Sequence, residues 1–268
     1  MRRRQRSWTG ESGTGSADKL SDAARAPSSP LAPRVQLASL VPASQTPGVS
    51  TSIGAPTLVL VPTTLELARL EDLGGLGPTA IVAPCGFGAV AAAARTAELL
   101  ERLTPARVIL VGIAGAYDVK RDPLGSALEF GAVAITGIGV GEGRAHVPPP
   151  ELGFPQWPAT EHPPRSAVFD RLELELRAGP LLLTTCAASA SHEEARERSK
   201  RFPEARAEDM EGFSVALACS IAGVPLSIVR GISNAVGDRV SEHWSIPRAL
   251  AGARELTLRV LARGRGDA

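Results

Sequence analysis

Two short stretches late in the chain carry more polar chemistry than a core can use. One is AEDMEGFSVALAC (Ala207 to Cys219), in which Asp209 and Glu211 flank a lone Met210. The other is IVRGISNAVGD (Ile228 to Asp238), in which an apolar run passes straight into Arg230, Ser233, Asn234 and Asp238. Far upstream, Glu66 follows another apolar run. A carboxylate accepts two vicinal hydroxyl protons in a bidentate way, and a thioether offers a polarizable face to a ring. A carboxylate near a reacting group is also a candidate general base.

The elements that must position these groups repeat as strand, loop and helix. TLVLV (Thr57 to Val61), AIVAPCG (Ala80 to Gly86) and ARVILVGIAGA (Ala106 to Ala116) are apolar runs of the kind found in sheets buried on both faces. AVAAAARTAELLERL (Ala89 to Leu103) predicts a helix after the CGFG turn. Further strands are expected over Phe130 to Gly139, Leu181 to Ala187 and Pro225 to Ser233. A helix is expected to start with AEDMEG, and a last one runs from about Pro247 to Arg263. The alternation predicts a three-layer α/β domain with a central, mostly parallel, twisted mixed sheet flanked by helices. Ligands of such sheets bind outside the carboxyl ends of the strands. The loops at Pro62 to Glu66, Gly86 to Gly88, Gly112 to Gly115, Ala187 to Ser191 and Arg230 to Asp238 would therefore converge on one site. The glycine turns GFG and GIAG lack the spacing of a dinucleotide fingerprint or a Walker loop.

Composition narrows the class. The chain has 268 residues, 44% of them hydrophobic, which suits a globular protein with a sizeable core. No apolar run is long enough to span a bilayer, and a formal charge of +1 gives no reason to expect nucleic acid as a partner. Cys85, Cys186 and Cys219 stand far apart, so they read as reduced thiols with no metal and a cytoplasmic setting. Residues 1–52 are rich in Ser, Gly, Pro and Arg and are expected to be a disordered N-terminal extension, with residues 53–268 forming the folded domain. Arg3 and Arg4 are not followed by the apolar stretch that an export signal needs.

In order and spacing, PTTLELARL, CGFGAVAAAARTAELL, VGIAGAYD, FPEARAEDMEGFSVALAC and VPLSIVRGISNAVGD resemble the nucleosidase and nucleoside phosphorylase superfamily, which cleaves N-glycosidic bonds of purine nucleosides. The likeness runs from about Pro56 to Ala262. MEGFSVAL, RGISN and VGDR followed by Trp244 are most similar to its futalosine hydrolase branch, which acts in menaquinone biosynthesis. That branch removes hypoxanthine from futalosine, or adenine from aminodeoxyfutalosine. Methylthioadenosine/adenosylhomocysteine nucleosidases are the alternative, and purine nucleoside phosphorylases a more distant one. The resemblance implies a catalytic domain with no cofactor or metal, a small purine nucleoside as ligand, and a homodimer or higher homo-oligomer. It assigns Glu66 to water activation, Arg230 to positioning that water, and Glu211 to the ribose hydroxyls over Met210. Ala114, Gly115, Ser233 and Asp238 are implied to contact substrate, and Asn234 to face the leaving base. Each charged residue also has a plainer reading: Glu66 as an exposed first-turn residue, Asp209 as a helix N-terminal carboxylate, Arg230 as a strand-end ion pair.

The chain departs from the family pattern at two positions. Many relatives have Asp where Asn234 stands, and an amide can hydrogen-bond a purine but cannot protonate it. This leaves hydrogen bonding alone, or Asp238 acting through a water. Ile113 replaces a serine that often touches the nucleophile. The arginines and hydroxyl that hold phosphate in phosphorylases are missing from PTTLELA and ILVGIAG, which favours water as the nucleophile. The segment Gly141 to Pro164, with Arg144 and His146, is expected to act as a lid.

Overall fold

The computed structural model describes residues 55–72, 74–77, 80–176 and 178–263. The expected N-terminal extension lies outside the described residues.

Strand β1 (Thr57–Val61) lies between β2 (Ala80–Pro84) and β3 (Arg107–Ala116), parallel to both. The other edge of β3 pairs in parallel with β9 (Leu226–Ala235), which pairs antiparallel with β4 (Ala127–Phe130). One residue, Gly131, separates β4 from β5 (Ala132–Thr136). From β5 the sheet continues in parallel through β7 (Leu181–Thr185) to β8 (Ala205–Asp209), with β6 (Arg171–Glu173) antiparallel on the outer edge of β5. Strand β8 then meets Gly115 and Ala116 of β3 in antiparallel register. The path from β3 through β8, β7, β5, β4 and β9 therefore returns to β3. This is the expected α/β fold with a mostly parallel mixed sheet.

Two helix layers cover the sheet. Helices α1 (Thr64–Asp72) and α6 (Ile246–Arg263) lie on one face, where Leu70, Leu250 and Val260 pack against Val59, Val61 and Ile109. Helices α2 (Ala89–Leu103) and α5 (Gly212–Ala222) lie on the other, against Leu58, Leu60 and Leu110. Successive strand residues thus feed opposite cores, which is why β1 and β3 read as unbroken apolar runs rather than alternating ones. A smaller helix, α3 (Pro149–Leu152), and α4 (His192–Arg201) complete the set. Among the described residues, no helix is long and apolar enough to cross a membrane.

Two local expectations are corrected. Helix α5 does not start at the carboxylates: Ala205 to Asp209 is strand, bonded to β7 on one side and, near its end, to β3 on the other. The helix begins only at Gly212, and it is not amphipathic. Residues 212–216 and Cys219 are all buried, because α5 is wedged between the sheet and α2. The run Phe130 to Gly139 is likewise two strands split at Gly131. A β-carbon at that position would collide with the backbone of Leu176 and Gly179.

Candidate active site

The site arises where β3 outruns β1. Strand β1 pairs with β3 only as far as Leu110, and β8 joins the same edge only at Gly115. Between them the β3 backbone lacks a strand partner, so its amides need another acceptor. Glu66 supplies it, with Oε1 accepting from the Ile113 amide at 3.0 Å.

Glu66 is held by a second device readable in TTLE. Thr63 Oγ1 accepts from the Glu66 amide at 3.2 Å, while Glu66 Oε2 accepts from the Thr63 amide at 3.1 Å and its hydroxyl at 2.6 Å. This reciprocal pair is a capping box at the start of α1. Glu66 is therefore a first-turn residue, yet only 4% exposed and turned into the sheet crevice. Three donors fix the carboxylate and leave one acceptor direction on Oε1.

On the facing wall, β8 delivers Glu208, Asp209, Met210 and Glu211 to the same cleft, which encloses about 350 Å³. Glu211 Oε1 accepts from the Gly88 amide at the N-terminus of α2, at 3.0 Å, and Oε2 from Arg230 Nη2 at 3.3 Å. Burial pushes its pKa up to about 7, with Arg230 opposing, the Asp209 charge adding, the Gly88 amide opposing and Glu66 adding. Asp209 takes Arg230 Nε at 3.1 Å and Nη2 at 2.6 Å, and also caps the Gly212 amide at 2.9 Å.

Arg230 is fully buried and lies behind the cleft wall instead of lining it. Its ion pair is made from the middle of β9, not from a strand end, and is with two carboxylates, while Nη1 has no hydrogen-bond partner among the described residues and lies beside Gly112, as Glu66 Oε1 does. Burial lowers the guanidinium pKa, and the charges of Asp209, Glu211 and Glu66 outweigh it, leaving the pKa raised. Any β-carbon at position 112 would strike both Arg230 Nη1 and Glu66 Oε1, so the ion network requires glycine there.

Strand β9 supplies the third wall. Asn234 Nδ2 donates to the Ala235 carbonyl at 2.8 Å and Oδ1 accepts from Ser233 Oγ at 2.8 Å. The Ala235 carbonyl can only accept, so the amide orientation is fixed and one N–H remains for a ligand. Ala114 and Gly115 of β3 line the cleft beside it. Asp238 does not reach the cleft. Its carboxylate turns to the Val240 amide at 3.0 Å and His243 Nδ1 at 2.8 Å. Nor does the segment 141–164 border the cleft among the described residues, and His146 Nδ1 faces the Gly141 carbonyl at 3.3 Å.

Two cleft residues were not anticipated from the sequence. Glu208 accepts from the Ser189 amide (2.7 Å) and hydroxyl (2.8 Å), Tyr117 (2.9 Å) and Arg198 (3.1 Å), joining the loop after β7 to β3 and α4. Arg239 lies on the cleft rim with its guanidinium carbon 4.9 Å from the Trp244 ring centre. Glu208 was obscured by reading AED as helix, and VGDR entered the resemblance without any role for Arg239.

Residues 73–263 match the phosphorylase superfamily, and the chain belongs to it. It is an enzyme of the nucleosidase type, an N-glycosyl hydrolase. The futalosine hydrolase of Thermus thermophilus is 32% identical over 224 residues, 76% of this chain and 95% of that one. The 5'-methylthioadenosine/S-adenosylhomocysteine nucleosidase of Chromohalobacter salexigens is 32% identical over 176 residues, 60% of this chain and 69% of that one. The solved nucleosidase of the same name from Colwellia psychrerythraea, in complex with adenine, shares the fold. It has a TM-score of 0.61 at 19% identity, covering 78% of this chain and 95% of that one.

Proposed function

We propose that the cleft hydrolyses the N-glycosidic bond of futalosine or aminodeoxyfutalosine, releasing hypoxanthine or adenine and dehypoxanthine futalosine on the route to menaquinone. The observation that carries hydrolysis is the charge of the floor. Glu66, Glu208, Asp209 and Glu211 all border the cleft, whereas the nearby Arg230 and Arg198 are each engaged by these carboxylates. Such a floor favours a positively charged sugar and disfavours a phosphate dianion. The choice of futalosine is supported by the reach of the likeness: 32% identity extends over 224 residues of the Thermus thermophilus enzyme, against 176 residues of the nucleosidase at the same identity.

In this reading the substrate ribose rests over Met210, with its vicinal hydroxyls on Glu211. Ala114, Gly115 and Ser233 form the adjoining wall, and the free N–H of Asn234 meets the purine. As the C1′–N9 bond breaks, its electron pair leaves with the purine, and Asn234 stabilises the growing charge by hydrogen bonding without transferring a proton. The sugar becomes oxocarbenium-like. Glu66 takes a proton from water, the resulting oxygen bonds C1′, and the proton passes on to the departing base. Arg230 acts from behind the cleft wall by holding Asp209 and Glu211 in place, so that the water is left to Glu66. Asp238 organises the rim in place of contacting substrate. The reaction needs no metal or cofactor and is placed in the cytoplasm. The exposed Ile81, Val82, Phe87 and Val90 are apolar side chains that a homo-oligomer would cover.

A second reading, methylthioadenosine or adenosylhomocysteine cleavage, is favoured by Leu65 and Phe87 at the cleft mouth, which would suit an alkylthio group. The deciding experiment incubates the protein with futalosine, aminodeoxyfutalosine, methylthioadenosine and inosine, with and without phosphate. Free purine and a sugar with a free anomeric hydroxyl, formed fastest from a futalosine substrate, are expected. A sugar 1-phosphate would overturn hydrolysis, and fastest release from methylthioadenosine would establish the second reading. Glu66→Gln keeps the capping box, since glutamine serves there too, and should lower kcat by about 100-fold or more. A near-normal rate would remove Glu66 as the base.

A further inference from the structure

We infer that Glu208 is a positioning residue: together with Arg198 it fixes the segment Ala187 to Ser189 as the cleft wall beside the base. The inference rests on the nucleosidase reading, in which the base meets Asn234, and adds the group that holds the neighbouring wall.

Glu208 stands where β8 passes from one strand partner to another, with Leu183 of β7 on one side and Gly115 of β3 on the other. Its side chain is 4% exposed. Oε1 accepts from the Ser189 amide at 2.7 Å, and Oε2 from the Ser189 hydroxyl at 2.8 Å, Tyr117 at 2.9 Å and Arg198 Nη1 at 3.1 Å. Burial, and after it the adjoining Glu208 charge, raises the Tyr117 pKa, so that hydroxyl stays a donor. Donors converging on one point from β3, α4 and the loop after β7 need a carboxylate, because no neutral side chain has enough acceptor sites.

Most of this convergence serves one segment. Arg198 adds two bonds of its own to it, Nη1 to Ser189 Oγ at 2.9 Å and Nη2 to the Ala187 carbonyl at 3.0 Å. The segment is thus pinned on either side of Ala188, which lines the cleft together with Ser189. Neither peptide group of Ala188 has a hydrogen-bond partner among the described residues. Apolar packing does little to hold this wall: Cys186 and Ala187 are exposed, and α4 behind it buries only Ala195. The ion pair does the holding. The wall adjoins Asn234 because the turn at Gly237 runs so close to Ser191 that a β-carbon there would strike the Ser191 carbonyl.

Arg198 does not line the cleft, so any effect of its removal on a ligand passes through Glu208 and the segment it holds. Arg201 supplies the contrast. It lies on the same helix, also outside the lining, and donates to the Gly143 carbonyl at 3.1 Å without joining the cluster.

The test measures by calorimetry the dissociation constants of free adenine and hypoxanthine in the wild type, Glu208→Gln, Arg198→Met, Arg198→Lys and Arg201→Met. A wall held in place beforehand binds without an ordering cost, so Glu208→Gln and Arg198→Met should each weaken the bases by about tenfold. Arg198→Lys should recover part of that loss, because lysine restores the charge without the planar fork. Arg201→Met should bind as the parent does. With a nucleoside substrate, the weakened variants should raise KM and leave kcat near the parent value. Parent-like affinity in both Glu208→Gln and Arg198→Met, or an equal loss in Arg201→Met, would overturn the inference. A wild type that binds a base but cleaves no nucleoside refutes hydrolysis alone, and the same affinities still decide Glu208. A wild type that binds neither base overturns the placement of the base, and the inference falls with it.

Discussion

Glu211 lies 3.3 Å from the Arg230 guanidinium, but the closer partner of that guanidinium is Asp209, at 2.6 Å. One buried arginine thus serves two carboxylates, and Glu211 receives the smaller share. Its pKa, pushed up to about 7 mainly by burial, is the consequence.

A carboxyl whose folded value exceeds its unfolded value stabilises the fold fully below the unfolded pKa, here about 4.5, and loses that contribution as the pH rises to about 7. Glu211→Gln removes the titration. Relative to the wild type, the variant should gain stability across that window, by at most roughly 3 kcal/mol. Urea unfolding of both proteins between pH 4.5 and pH 8 measures it. A constant difference across the window would mean that Glu211 is ionised throughout.

Asn234 offers one N–H to the ligand and uses its other polar groups on Ser233 and Ala235. Asn234→Ala should reduce kcat/KM by roughly 1 to 3 kcal/mol of transition-state stabilisation. Asn234→Asp should work only while protonated, because an ionised carboxylate would face the Ala235 carbonyl where the amide now donates. Its rate should therefore fall with rising pH on a limb that the wild type lacks. An alanine variant as fast as the parent would show that the base does not meet this residue.

Thr104 closes α2 in the left-handed region, with φ 41° and ψ 55°, and its amide bonds Leu100. A β-branched residue is strained there, and glycine is the usual occupant. Thr104→Gly should raise stability by about 1 kcal/mol, seen as a higher urea midpoint with an unchanged slope. A lower midpoint would show that the threonine side chain contributes more than its backbone costs.

Much of this architecture was legible in the sequence. Strands β1 and β3 declared themselves because Leu58 and Val59 enter opposite cores, so no polar face interrupts the run. Helix α2 was legible from its Ala and Leu pattern after the CGFG turn. The meeting of Glu66 and Asn234 followed from reading strand ends in a parallel sheet, whereas Glu211 entered only through the resemblance of MEG to the family. Burial, however, depends on partners distant in the chain. Glu66 is buried because β3 has a bare amide at Ile113, and Arg230 is withdrawn because Asp209 holds it from behind. Helix α4 was missed because His192 to Arg201 is almost wholly charged, with Ala195 its one buried residue. Asp238 stands four residues beyond Asn234, yet the turn at Gly237 sends its side chain outward to His243.

The place of β9 in the sheet constrains how the chain reaches its fold. This strand, residues Leu226 to Ala235, lies between β3 and β4, both made far earlier. Until it arrives, β3 and β4 each present an unpaired edge, and during synthesis those edges wait for about a hundred residues of further chain. The insertion that protects them also brings in Arg230, Ser233 and Asn234. Nascent chains stopping short of Ala235 would be both prone to edge association and unable to bind ligand, so acquisition of the site coincides with the end of that exposure.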